Sequence, residues 1–237
     1  MLRPLILLAL FLVFPRFATA ETCPVPDGAA PALAGLDAGL RRGFIERTIT
    51  SEADSAGTWL IGWAIGHGAL VAGSLALIPL DDRSARPDHI VGASAAGVGL
   101  LTTQLGRHGA LRARRELAEP PRATPCAELA RVEETFLGLA EGDRMRTAWY
   151  MHAVNVTFNV GMGLILGLGY DRWGPAAVQM AAGSAVGEAL ILTRPTSSIG
   201  ALERYRAGEL AAREESRLRP VFVATPSALL VGAATTF

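Results

Sequence analysis

The sequence predicts an all-α membrane protein. Its four transmembrane helices form two tandem parallel helical-hairpin repeats, with flanking amphipathic periplasmic helices and a possible C-terminal β-hairpin. Three observations predict this class. Half of the 237 residues are apolar and only 19% are charged, which is typical of a small membrane protein. Four stretches are apolar enough to cross a bilayer. The two halves of the chain align without gaps at an offset of 90 residues, the separation of Trp59 from Trp149.

The N-terminal residues 1–20, MLRPLILLALFLVFPRFATA, have the pattern of a secretory signal peptide. A short basic start at Arg3 precedes an apolar run, and an A-x-A site at residues 18–20 predicts cleavage before Glu21. The alternative is an uncleaved membrane anchor. In either case residue 21 emerges on the periplasmic side, so we expect an exported protein of the bacterial inner membrane. The basic residues are all Arg, and with the heavy use of Ala, Gly and Leu this indicates a GC-rich bacterial genome.

The chain contains two cysteines, Cys23 and Cys126. In an exported protein an even pair usually forms a disulfide, and two isolated thiols are the alternative. A disulfide requires both residues to lie on the same side of the membrane. The predicted topology meets this requirement, because two spans separate them.

The predicted spans cover residues 57–80, 90–106, 148–169 and 175–193. A bilayer core needs about 17–25 predominantly apolar residues. The second and fourth spans are rich in Gly and Ala and near the lower limit, so buried helices of a periplasmic bundle are the alternative for them. Most Arg residues lie in the long segments that this topology places outside, against the positive-inside tendency, although long loops follow that tendency weakly.

The 90-residue offset predicts a duplicated helical hairpin. It places Trp59 on Trp149 and Asp81 on Asp171, at equivalent membrane boundaries. Each unit holds two spans, so both copies begin on the same side and form parallel rather than inverted repeats. The predicted parts are a first repeat over 21–119, a linker over 120–125, a second repeat over 126–219 and a tail over 220–237. Segments with helical apolar spacing flank the spans, and the β-branched tail has the pattern of a short hairpin.

Small residues at three- and four-residue spacing mark the faces on which the spans are predicted to pack. In lipid there is little hydrophobic drive between helices, and close backbone approach supplies the attraction. The stripes therefore predict a tight four-helix bundle or a dimer of bundles. The glycines predicted to lie at these contacts are Gly62, Gly66, Gly73, Gly183 and Gly187.

A polar stripe runs along the third span, where His152, Asn155 and Asn159 lie on one helical face. Glu188 is the one acidic residue well inside a span, and at 1.5 Å per residue it lies level with His152. His67 in the first span has a depth similar to that of Asn155. Three interpretations stay open: a hydrogen-bonded cluster that fixes helix register, a path for a proton or solute, and either haem ligation by His67 and His152 or catalysis by His152 and Glu188 as a proton-transfer pair.

The sequence favours a structural or interaction subunit of a bacterial envelope complex over an enzyme. It carries no HExxH, CxxC, GxSxG or phosphate-binding loop motif, so no catalytic residue, metal site or cofactor is predicted. The zero net charge leaves no footprint for nucleic acid. His89 and His108 flank the second span and are expected to be solvated. The expected partners are the lipid bilayer and other membrane or periplasmic subunits or a second copy. The alternative function is a small transporter or channel with a polar intramembrane lining.

Overall fold

The computed structural model describes residues 22–106, 108–122 and 124–211, together with the backbone of 217–225 and 228–236. The predicted signal peptide lies outside the described residues. Within residues 22–211, all regular secondary structure that the structure describes is helical. The helices are α1 Pro31–Ala34, α2 Ala38–Leu77, α3 Arg86–Leu105, α4 Gly109–Leu117, α5 Pro125–Arg146, α6 Trp149–Tyr170, α7 Trp173–Leu192 and α8 Ser197–Ala207. Two strands, β1 Arg217–Thr225 and β2 Ala228–Thr236, pair antiparallel.

A helical head contains the main hydrophobic core. We use this name for α1, residues 38–56 of α2, α4, α5 and α8. Apolar residues recur along these helices at a spacing that places them on one face, and the helices bury those faces against one another. Phe136 of α5, for example, packs edge-on against Tyr205 of α8, with ring centroids 6.0 Å apart. The fully buried residues of this core include Leu33, Ile45, Ile49, Ala53, Ala110, Val132, Phe136 and Ala140.

Three helices are long and apolar enough to cross a membrane: α2, α6 and the segment Trp173–Ala207 that contains α7. Only 6%, 22% and 11% of their most apolar windows are buried inside the protein, so most of this apolar surface faces outward. Large side chains such as Ile61, Ile65 and Leu168 are exposed. Such helices indicate contact with a lipid bilayer and are consistent with membrane localisation. The second predicted span is a helix, α3, but α3 is not among these three.

The apolar helices are arranged as two hairpins. The C-terminal part of α2 packs along α3, α6 packs along α7, and α3 contacts both α6 and α7. A small core of Val91, Leu166 and Ala176 lies where the hairpins meet. At the end nearest the head, the indole nitrogens of Trp59 and Trp63 each lie 3.2 Å from the hydroxyl oxygen of Thr193, which ties α2 to the end of α7.

The N-terminal segment is fixed to the head by a disulfide and by a buried arginine. Cys23 and Cys126 form the predicted pair, with their Cα atoms 5.2 Å apart. Arg41 of α2 is fully buried and donates to the carbonyl oxygens of Cys23 and Pro24 at 2.9 and 2.8 Å. Its charge is paired with Glu133 of α5. This guanidinium therefore joins α2, α5 and the start of the described chain.

Candidate functional site

The predicted polar residues of the third and fourth spans meet within the α6–α7 hairpin. His152 Nδ1 lies 2.5 Å from Glu188 Oε2. Asn155 Nδ2 donates to Glu188 Oε1 and to the carbonyl oxygen of Ser184, both at 2.9 Å. Asn159 Nδ2 in turn donates to the backbone and side-chain oxygens of Asn155 at 3.0 Å. The structure thus brings four of the five predicted residues into one hydrogen-bonded chain, which we call the hairpin cluster.

Glycines on α7 make room for this cluster. A Cβ atom built on Gly187 would lie 1.8 Å from Asn155 Oδ1, and one built on Gly183 would lie 2.1 Å from Asn159 Oδ1. Both distances are far below van der Waals contact. The two asparagine amides therefore rest on bare helix backbone, and the small residues set the distance between α6 and α7.

The other three predicted packing glycines have no such neighbour. Among the described residues, no atom lies within 4 Å of a Cβ built on Gly62, Gly66 or Gly73. At 100° per residue these positions share one side of α2, and each is exposed. Within the described chain this side packs against no helix, and we call it the bare α2 face.

His67, the fifth predicted polar residue, belongs to a different contact. It is 5% exposed, and its Nδ1 lies 3.0 Å from the carbonyl oxygen of Trp63 one turn earlier. Its ring packs on Gly99 of α3, where a Cβ would lie 2.4 Å from His67 Nε2. His67 therefore packs in the first hairpin, whereas His152 bonds within the second.

The structure also reveals a buried polar site in the head that the sequence analysis missed. Glu52 of α2, His108 before α4 and Asp143 of α5 are 0%, 0% and 1% exposed. Each offers a ligand atom, and these atoms all lie within 4.8 Å of one another. Ser198 at the start of α8 is fully buried beside them. We call these four residues the junction cluster, because all lie where head helices meet the apolar hairpins.

Two serines orient the carboxylates of the junction cluster. Glu52 Oε2 accepts from the backbone nitrogen of Ser198 at 2.5 Å and from Ser197 Oγ at 2.8 Å. Asp143 Oδ2 accepts from Ser198 Oγ at 2.8 Å. The N-terminus of α8, whose free backbone N–H groups favour anions, therefore holds Glu52.

The imidazole of His108 is held at both ring nitrogens. Its Nδ1 accepts from the backbone nitrogen of Ala110 at 3.2 Å, which caps the start of α4. Its Nε2 lies 3.0 Å from the carbonyl oxygen of Pro195. Because a carbonyl oxygen only accepts, Nε2 carries the proton, and the side chain is the neutral tautomer.

Burial controls the protonation of Glu52 and His108 in the junction cluster. Burial, reinforced by the neighbouring Asp143, raises the pKa of Glu52 to about 8. Burial, with the charge of Arg194, lowers the pKa of His108 to about 4. Arg194 stacks over the Trp59 ring at 5.4 Å from its centroid, and its Nε lies 3.7 Å from Asp143 Oδ1.

The expectation that His108 is solvated is wrong. The chain turns back after α3, so that α4 packs on α2 and α5 and carries this residue into the interior. Glu52 and Asp143 were hidden from the sequence analysis because each lies among exposed charges on an amphipathic helix. One signal was available: the 90-residue offset pairs His108 with Ser198, which both lie at the start of the helix that follows a hairpin.

The carboxylate oxygens and imidazole nitrogens of the junction cluster can hold a proton or a cation. The hydrogen bonds of the hairpin cluster join two helices. Ser198 Oγ donates to Asp143 rather than to His108, so the Ser–His hydrogen bond that commonly activates a serine nucleophile is not formed here. No family model, curated protein or solved structure matches this chain. Its function is therefore inferred from these residues themselves.

Proposed function

We propose that the protein is an integral inner-membrane structural or interaction subunit of a bacterial envelope complex. The observation that carries this proposal is the bare α2 face. Its glycines sit on an apolar helix, and among the described residues no atom covers them. Small residues on a membrane helix allow a second helix to approach closely, and van der Waals contact then holds the pair together. A second copy or another membrane subunit is the partner that this face fits.

The topology that we propose has four spans, with α3 as the one that returns from the first hairpin. The head core supports this assignment, since it includes residues from α2, α4, α5 and α8. If α2 crossed the bilayer and α3 did not return, α4 and α5 would lie on the opposite side from the start of α2. α3 packs against α2, α6 and α7, and a helix with protein neighbours needs less apolar surface than one facing lipid.

We place the head in the periplasm and the two short turns in the cytoplasm. The predicted signal peptide and the Cys23–Cys126 pair support this orientation, because disulfides persist in oxidising compartments. The turns lie together, since Arg172 after α6 is paired with Asp88 at the start of α3. Parallel tandem repeats also fit the helix bounds: at the 90-residue offset, α3 overlaps α7 and α4 overlaps α8.

The hairpin cluster supports a structural role for the polar residues. The amides of Asn155 and Asn159, and both oxygens of Glu188, are bonded to partners within α6 and α7. Interhelical hydrogen bonds of this kind contribute on average about 0.6 kcal/mol each in a membrane. The cluster therefore fixes the register of one hairpin and leaves the bare α2 face free for a partner.

A matched pair of substitutions tests the interaction role. Gly66→Leu fills the bare α2 face, whereas Gly68→Leu adds the same side chain on the same helix about 200° away. Among the described residues no atom lies within 4 Å of a Cβ built at either position, so the first carbon of each leucine meets open space within one chain. We expect the native molecular mass of the protein in detergent-solubilised membranes to exceed that of one chain for the wild type and for Gly68→Leu. For Gly66→Leu we expect this larger complex to be lost. A single-chain size for the wild type would contradict the proposal.

The second candidate function is a small transporter or channel, and one observation favours it. The side chains of His152 and Glu188 are 34% and 30% exposed, so this pair lies at the surface of the hairpin rather than sealed inside it. Glu188→Gln keeps a hydrogen-bonding group and removes the charge. If assembly persists while proton or solute flux into reconstituted vesicles is lost, the transport function replaces the structural one. If Glu188→Ala only lowers the yield in detergent, transport is excluded.

A further inference from the structure

The junction cluster has an unmet bonding requirement at its centre. Glu52 is fully buried, and its Oε1 has no hydrogen-bond partner among the described residues, although Oε2 is bonded twice. A buried carboxylate oxygen without a partner costs free energy that native proteins rarely leave uncompensated. The nearest ionisable neighbours include Asp143, a second carboxylate. Two buried carboxyl groups in one site call for a cation or a proton between them.

The neighbouring arginine does not meet this requirement. Arg194 Nε lies 3.7 Å from Asp143 Oδ1, an ion pair that is beyond hydrogen-bond distance and that engages Asp143 rather than Glu52. Its buried Nε and Nη2 have no hydrogen-bond partner among the described residues, and its guanidinium stacks on Trp59. Glu52 Oε1 is therefore left for another positive group.

We propose that Glu52, His108 and Asp143 bind one divalent transition-metal ion of the Zn²⁺ or Mn²⁺ class. The three side chains offer ligand atoms within 4.8 Å of one another from three separate elements. Two carboxylates and an imidazole are a donor set that such ions accept. A bound ion would lie where α2, α4 and α5 meet and would hold these helices together at the base of the head.

The surrounding hydrogen bonds match the support that metal ligands usually have. Ser197 and Ser198 hold Glu52 Oε2, which leaves Oε1 for the ion. His108 must exchange one of its two contacts to become a ligand. The Nε2 contact with the Pro195 carbonyl is the type that fixes the tautomer of a metal-bound histidine. The 3.2 Å contact of Nδ1 with Ala110 is the longer of the two and the one that a metal bond would replace.

The test uses the purified full chain in detergent, dialysed against Zn²⁺ or Mn²⁺ alone and then against metal-free buffer. We expect elemental analysis to find about one ion per wild-type chain, and chelation by EDTA to lower the melting temperature until the ion is restored. Glu52→Gln keeps the size of the side chain and its bonds to the serines, and we expect it to weaken binding at least tenfold. Asp54→Asn is the matched control, because Asp54 lies two residues away and is exposed, paired with Arg114 at the surface.

Two outcomes overturn the proposal. The first is a wild-type chain that retains no ion after dialysis and shows no EDTA effect, a measurement that does not depend on any variant folding. The second is an ion content that stays the same in Glu52→Gln as in Asp54→Asn. In the first case a proton shared by Glu52 and Asp143 fills the gap instead, and in the second the ion is bound elsewhere in the chain. Neither result bears on the bare α2 face, so the proposed interaction role and the metal site fail separately.

Discussion

Gly187→Ala is predicted to loosen the α6–α7 hairpin, although the change adds a single carbon. The new Cβ would lie 1.8 Å from Asn155 Oδ1 and 2.4 Å from its Cγ, so the amide must swing away. That movement breaks the 2.9 Å bonds of Asn155 to Ser184 and Glu188. Two interhelical bonds of about 0.6 kcal/mol each, with an overpacking cost of about 1–3 kcal/mol, predict a cost of about 2–4 kcal/mol before any gain in helix propensity.

Gly161→Ala on α6 is the control for this prediction. It makes the same chemical change in the same hairpin, and no atom of the described residues lies within 4 Å of the added Cβ. Both variants gain about 1 kcal/mol of helix propensity, so their difference isolates the clash. The assay is reversible unfolding in mixed detergent micelles, followed by circular dichroism. Equal stabilities of Gly187→Ala and Gly161→Ala would refute the reasoning.

A compensating change separates the clash from the lost bonds. Asn155→Ala removes the side chain that the new Cβ would strike, so the Asn155→Ala/Gly187→Ala protein should be more stable than Gly187→Ala alone by about 1–3 kcal/mol, the overpacking part of the cost. Residues in contact show such non-additive effects in double-mutant cycles. Strictly additive losses would show that the two side chains do not share this space.

Two further predictions concern the head. Arg41→Met leaves the buried carboxylate of Glu133 without its cationic partner, although Tyr205 still donates to it, and should lower the free energy of unfolding by about 3–5 kcal/mol. Arg42→Met removes an exposed pair and should cost under about 1 kcal/mol; equal losses in thermal unfolding would contradict this. The hydrogen bond from Arg131 lowers the pKa of Glu128 from 4.5 to about 2, so this stabilisation is present above pH 4.5 and is lost as the pH falls towards 2. Glu128→Gln should show a smaller acid-induced fall in melting temperature, and a fall as large as that of the wild type would count against this assignment.

Apolar patterning made the helices of the hairpins predictable. The predicted third span, 148–169, and the helix α6, Trp149–Tyr170, differ by one residue at each end, because a long apolar run bounded by Arg146 and Asp171 leaves few alternatives. The first span was predicted to begin at residue 57, whereas α2 begins at Ala38 and continues without a break. Composition marks where a chain becomes apolar, and a helix continues past that point wherever its polar residues also favour helix.

Depth along a helix also allowed one contact of Glu188 to be predicted, that with His152. His152 and Glu188 lie at the same level on helices joined by a short turn, which allowed their contact to be anticipated. The junction cluster offered no comparable rule. Glu52 and His108 are 56 residues apart in sequence, and they meet only because α4 folds back onto α2. Local spacing carries no information about such a return, so the buried carboxylates looked like ordinary surface charges.

The unbroken course of α2 has a mechanical consequence. Its 40 residues make a rod about 60 Å long, which packs in the head at one end and carries the bare α2 face at the other. The second half of the chain instead changes helix between α5 and α6, at Thr147 and Ala148. A twist applied to the head would therefore turn Gly66 through the same angle, while the break between α5 and α6 can absorb it. The position of any subunit bound along the first hairpin would therefore change with the orientation of the head.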